Sequence, residues 1–305
     1  MRIHLLGTAA GGGVPQWNCN CVVCREARKR GGRVQARTQS SVAVSADGQR
    51  WFLLNASPDI RAQFQSFPTL WPQGAKARSS PIEGVLLTGA ELDATLGLLL
   101  LREGERLRVF ATPYVQRLIT EEMPVARALD SFCGVEWISP AAKPSPLLLH
   151  DGSASGLSYE CIALPGKPPR FVKRHTQGEG WTVGYRITDN RTGASVIFAP
   201  GVARLDTALS GWLDDCDVLL FDGTFWSENE MRERGVGRLS APEMGHWPIG
   251  GPGGSLKVLA GLKPAHKIYT HINNTNPILI EDSPECEAVM AAGCAVGQDG
   301  MAIEI

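Results

Sequence analysis

No run of this chain stays apolar for long. Even the leucine-rich LGLLLL at residues 96–101 falls far below the about eighteen residues that a membrane-spanning helix requires, so membrane insertion is not expected. A surplus of charge is missing as well. The 30 Lys and Arg balance 31 Asp and Glu for a net charge of −1, which gives nucleic acid or an anionic membrane no global field to recognise. The one basic run, Arg25 to Arg37, reads as the solvated side of a short helix and loop. The opening RIHLLG has the pattern of a strand rather than the charged-then-apolar plan of a signal peptide, so the expected location is the cytoplasm. Internal repeats and low-complexity tracts are also lacking. What remains is an ordinary globular chain, 305 residues long and 43% hydrophobic, able to bury a large core.

Many short apolar runs are present, bounded by Gly, Pro, Asp and Asn, with fewer helical stretches between them. Strand patterns include Arg2 to Leu6, Ser41 to Ser45, Trp51 to Asn55, Gly84 to Thr88, Ser195 to Ala199, Val218 to Asp222 and Lys267 to Thr270. Helical patterns include Asp93 to Arg102, Pro113 to Glu122 and Pro284 to Gly293. Strands grouped before and after a middle stretch predict an α/β fold, an αββα sandwich of two mixed sheets flanked by helices. One domain over residues 1–305 is expected, made of two fused halves with a Pro-rich seam near 140–169.

The most concentrated chemistry is QWNCNCVVC, which sets Cys19, Cys21 and Cys24 within six positions. In the cytoplasm disulfides are disfavoured, so thiols this close read as metal ligands. Zn²⁺ at a closed structural site takes four tetrahedral N or S ligands, and the fourth must come from elsewhere. His246, in the turn-like APEMGHWPIGGPGG, is the best candidate, with His4, His150 and His266 in ordinary strand or loop settings. The preceding GTAAGGGVPQW does not satisfy the dinucleotide fingerprint. Its glycines instead permit a sharp turn and close approach to another segment.

In VLLTGAELDATLGLLLL a strand leads through a loop to a helix near Asp93, and one role for Asp93 is simply that of an N-cap. The layout also resembles the place where metallo-β-lactamase-fold hydrolases carry His-x-His-x-Asp-His. Against that pattern Gly89 and Glu91 stand for the first two histidines, Asp93 is kept, and Ala94 stands for the last. IFAPG, residues 197–201, stands where those hydrolases carry a metal-bridging Asp, while Asp222 in VLLFDGTFW and His271 in THINNTNP match later positions of the fold. Two-metal activation of water needs several ligands on both ions, which leaves a metal-dependent hydrolase as the alternative function only.

Taken together, GTAAGGGVPQWNCNCVVC, ARTQSS, LNASPDI, LTGAELDATLGLLLLREG, FDGTFW, MGHWPI, THINNTNPI and DGMAIEI run in order along nearly the whole chain, and they resemble the coenzyme PQQ synthesis protein B family. The resemblance implies a metallo-β-lactamase fold, a structural zinc on Cys19, Cys21, Cys24 and His246, and a part in making pyrroloquinoline quinone (PQQ). That part is either a carrier or transport role for PQQ or a precursor, or hydroxylation of a tyrosine-derived intermediate at a mononuclear Fe²⁺. For such an iron the resemblance implies Asp93 and His271 as catalytic ligands. Ala94 leaves the set depleted, with Glu91, His175 or Asp222 as candidates to complete it. Asn273, Asn274 and Asp222 are the expected ligand-binding residues, with Asn276, Arg37 and Arg61 as further donors for carboxylates and Trp17, Trp226 or Trp247 as stacking surfaces. The expected partners are PQQ or its precursor, other PQQ biosynthesis proteins and a second copy of the chain.

Overall fold

The computed structural model describes residues 1–172 and 180–305; His175 lies outside them. Two seven-stranded sheets are stacked face to face. The first runs in the order β14 (Ala302–Glu304), β1 (Arg2–Gly7), β2 (Ser41–Ser45), β3 (Trp51–Leu54), β4 (Ile82–Leu86), β5 (Leu107–Phe110) and β6 (Val135–Ile138). The second runs β13 (Ala295–Val296), β12 (His266–Thr270), β11 (Val218–Asp222), β10 (Ser195–Ala199), β9 (Val183–Asp189), β8 (Ala154–Ala163) and β7 (Ser145–Leu148). Each sheet is mixed: β3 to β6 are parallel in the first and β10 to β13 in the second, and the remaining pairs are antiparallel.

Alternation along the strands explains the layering, because successive side chains point to opposite faces of a sheet. Phe52 and Leu54 of β3 join Phe198 of β10 and Leu220 of β11 in the core between the sheets. Their neighbours Trp51 and Leu53 face the helices over the first sheet, and Ile197 and Phe221 face those over the second. Strands buried on both faces read as continuous apolar runs, and this is why VLLF and SVIFA carry no polar alternation.

The Pro-rich stretch near 140–169 is not a bare loop. It carries β7 and β8, which pair antiparallel at one edge of the second sheet, and it is where the chain crosses from β6 in one sheet to β7 in the other. β6, β7 and β13 are two- and four-residue strands, too short for a periodic pattern to register. Among the described residues no helix is long and apolar enough to cross a membrane.

Candidate functional site

Parallel strands end together, so the loops that follow them gather at one rim, as in other open α/β sheets. Asp222 closes β11, His271 follows the last residue of β12, and Asp93 lies in the short helix Leu92–Thr95 a few residues after β4. The Gly-rich loop after β1 folds against the same rim. Gly12 and Gly13 hold φ of 99° and 70°, open to glycine at no steric cost, and a Cβ on Gly11 would stand 3.7 Å from the Asp93 carboxylate. These glycines therefore serve close approach.

Asp93 does not cap its helix. Glu91 occupies the N-cap position without a side-chain cap bond, and the Asp93 carboxylate is 2.9 Å from Nε2 of His271. The other ring nitrogen, Nδ1, is 2.8 Å from the Thr224 hydroxyl. His271 has a left-handed backbone, φ 55°, which is uncommon outside glycine and costly to hold. The segment is clamped to keep it: Ile272 N donates to Thr8 O and Ala10 N to Ile272 O, both at 2.9 Å, and Asn273 N donates to Thr224 O. Burial opposes charge on both partners of the pair, yet the hydrogen bond and mutual attraction outweigh it. The Asp93 carboxyl is held below the usual carboxylate range and the His271 imidazole above its usual value. Glu91 beside them is pushed up to about 7, first by burial and then by the Asp93 charge.

Asp222 is fully buried and saturated. Oδ2 accepts from Val202 N and faces His246 Nδ1, each at 2.8 Å, while Oδ1 accepts from Thr224 N at 3.0 Å and from the Thr224 hydroxyl at 2.6 Å. Burial raises its pKa, but the two imidazoles and these donors lower it further than burial lifts it. With both carboxylate oxygens engaged, it organises its neighbours. Asn273, 8% exposed, and Asn274, 4% exposed, are likewise turned inward. Asn273 donates to Thr275, and Asn276 Nδ2 donates to Gly223 O at 2.9 Å. Both brace the loop that carries His271.

The three thiols do converge, with sulfurs within 4.8 Å of one another. Cys21 caps the helix Val22–Arg28, its sulfur accepting from Cys24 N at 3.5 Å, and Cys21 N donates to Cys19 Sγ at the same distance. Crowding splits their acidities. Burial raises the Cys19 pKa but donors from Cys21, Cys24 and Asn274 bring it below the usual thiol value, while burial and the neighbouring sulfurs push Cys21 up to about 11.

The expected fourth partner, His246, is elsewhere. Its Nδ1 is tied to Asp222, and its ring lies 5.4 Å from that of His271 with 26° between planes, so it groups with Asp222 and His271 and not with the sulfurs. Asn274 lies beside the sulfurs instead: its side-chain amide is 3.3 Å from Cys24 Sγ and 3.9 Å from Cys21 Sγ, and its backbone oxygen is 3.3 Å from Cys21 Sγ. The amide's O and N exchange by a flip of the terminal torsion, so an oxygen donor can face the sulfurs. The clue in the sequence is spacing: in HINN, Asn274 lies three residues past His271, on a turn beyond the strand end.

The proposed substrate arginines and tryptophans are dispersed. Arg37 is 7% exposed and donates inward to Gly297 O and Thr8, which excludes it from a surface fork, and Arg61 is exposed on the helix Ile60–Ser66. Trp17, 86% exposed, leaves its ring free. Trp247 donates to Gly253 O at 2.7 Å.

Residues 50–272 match the beta-lactamase superfamily domain. Coenzyme PQQ synthesis protein B of Methylococcus capsulatus is 42% identical over 99% of both chains, and that of Ectopseudomonas mendocina is 44% identical over 99% of both. Among solved structures, Zn²⁺-bound PqqB from Methylobacterium extorquens superposes with a TM-score of 0.91 at 39% identity over 100% of both chains.

Proposed function

The chain belongs to the coenzyme PQQ synthesis protein B family, and on that premise we propose that it performs an oxidative step on a tyrosine-derived PQQ precursor at the sheet rim around Asp93 and His271. The observation that carries this reading is the largely buried Asp93–His271 pair, whose histidine sits on a left-handed backbone tied to the loops after β1 and β11. A carrier has no use for a strained, ion-paired imidazole, whereas strain of this kind collects at reacting centres. Imidazole and carboxylate are the donors that suit Fe²⁺, and iron bound there would supply the activation of O₂. The chain's own residues position the pair.

Zinc is proposed for the other site. Three sulfurs, two of them accepting backbone N–H bonds, form a soft donor set with the Asn274 amide beside it, which fits a structural ion. A hydrolytic role is not supported: Pro200 and Gly201 stand where a bridging carboxylate would be needed.

The test is a single turnover. The protein, loaded anaerobically with Fe²⁺ and given the tyrosine-derived precursor, O₂ and a two-electron reductant such as ascorbate, should yield a product heavier by one oxygen atom, with the second oxygen leaving as water, and Asp93→Ala should abolish it. Recovery of the precursor bound but unaltered would replace this reading with that of a carrier.

A further inference from the structure

Arg37, expected to meet a carboxylate, is turned inward, but the fold brings two other arginines to the rim. The connection between β8 and β9 starts there. Leu164 N donates to Thr182 O and Val183 N to Thr88 O, at the end of the sheets where β4 gives way to the loop of Glu91 and Asp93. Three contacts knit the neighbouring loops together: Ala203 N donates to Pro165 O at 2.9 Å, Trp247 N to Val202 O at 2.7 Å, and Lys167 Nζ to Glu243 O at 3.3 Å.

Arg170 and Arg204 share one setting in these loops. Each is exposed, while the backbone on either side of it is pinned. Pro169 is buried, Val172 is 8% exposed among the apolar residues over the first sheet, and Val172 N donates to Pro169 O at 3.0 Å, which makes Arg170 the second residue of a tight turn. Val202 is fully buried, its N–H donates to Asp222 Oδ2 at 2.8 Å, and Leu205 packs among the residues over the second sheet. Two residues of chain span at most about 7 Å, so Arg204 stays beside the carboxylate that also faces His246 Nδ1. Arg170 stands close enough to Glu91 for its charge to favour the ionised carboxylate. Among the described residues neither guanidinium has a hydrogen bond or an ion pair.

In a chain of net charge −1, attraction for an anion has to be local. A guanidinium fork matches a carboxylate through two parallel N–H bonds, and a fixed backbone beneath it lowers the ordering cost of binding. We propose that Arg170 and Arg204 are specificity-determining residues that each take one carboxylate of the substrate, so that the rim selects a tyrosine derivative with two carboxylates over one with fewer. The proposal deepens the reading of a tyrosine-derived substrate and rests on it for the aromatic part, but binding can be measured without iron or O₂.

Calorimetric titration of the full-length, zinc-loaded protein compares three probes: glutamyltyrosine, with two carboxylates; its C-terminal amide; and glutaminyltyrosine, without the side-chain carboxylate. Glutamyltyrosine should bind about tenfold or more tighter than either amide, the worth of a charge-assisted pair. Arg170→Gln and Arg204→Gln should each weaken glutamyltyrosine by a similar factor. Each variant should also become indifferent to the loss of one carboxylate, a different one for each arginine, which is the coupling a double-mutant cycle reads. Arg191→Gln, in the turn at the opposite end of β9 and β10, should leave all three affinities unchanged. No binding of glutamyltyrosine, equal affinity for the three probes, or arginine variants that keep the full preference for two carboxylates would overturn the proposal. Preference lost in both variants, alongside a precursor that is never oxidised, would uphold the two subsites and defeat the proposed function.

Discussion

Asn274 and Cys24, 250 residues apart in the chain, meet with the amide 3.3 Å from the sulfur. The loop that carries Asn274 begins with His271, so one short segment reaches both the thiol trio and the Asp93–His271 pair at the rim.

Removing one sulfur should unmake the closed site. Cys21→Ser is expected to lose bound zinc and to lower Tm by about 10 °C or more, because binding energy at a structural site is folding energy. Metal analysis and thermal unfolding check it, and a metal-free variant of unchanged Tm would refute the structural role.

Asn274 is expected to be replaceable by a better ligand. Asn274→Ala should weaken zinc by about tenfold or more, at least what outer-shell partners cost, while Asn274→His should retain zinc at equal or higher affinity. Competition with a chromogenic chelator measures both.

Glu230 is 2% exposed and accepts from Thr275 and from Trp226 N at 2.6 Å, and burial pushes its pKa up to about 7 against 4.5 for the free group. The folded state therefore holds a proton that the unfolded chain releases. Its stabilising contribution is complete below about pH 4.5 and is lost as pH rises through about 7, a swing on the order of 3 kcal/mol. Glu230→Gln cannot titrate, so relative to the unaltered protein it should gain stability by up to that amount between about pH 4.5 and pH 8. Urea unfolding at several pH values tests this, and parallel curves for the two proteins would contradict it.

Asp222→Ala would strip the acceptor from Val202 N, Thr224 N, the Thr224 hydroxyl and His246 Nδ1 at once. The expected cost is about 3–5 kcal/mol of stability, read from chemical denaturation. A smaller loss than that of an exposed Asp130→Ala control would show that Asp222 is no hub.

What the sequence determined by itself is what repeats or lies close together. The two-sheet sandwich follows from doubly buried runs such as VLLF in β11 and SVIFA in β10, whose apolar continuity needs no partner to be recognised. The thiol trio follows from six adjacent positions. Asp93, Asp222 and His271 are visible as polar residues just past strand ends, where an α/β fold gathers its loops. Only the tertiary structure decided which distant groups come together. His246 and Asn274 both lie in turns rich in Gly or Asn, with no periodicity to aim them. A ligand's identity there depends on loop paths fixed by contacts such as Trp247 N to Val202 O and Asn273 N to Thr224 O. An imidazole is the commoner zinc ligand, which favours His246 on composition. The buried Asp222 claims its Nδ1 and turns the ring to the rim, because an unpaired buried carboxylate costs more than an amide standing in beside the thiols.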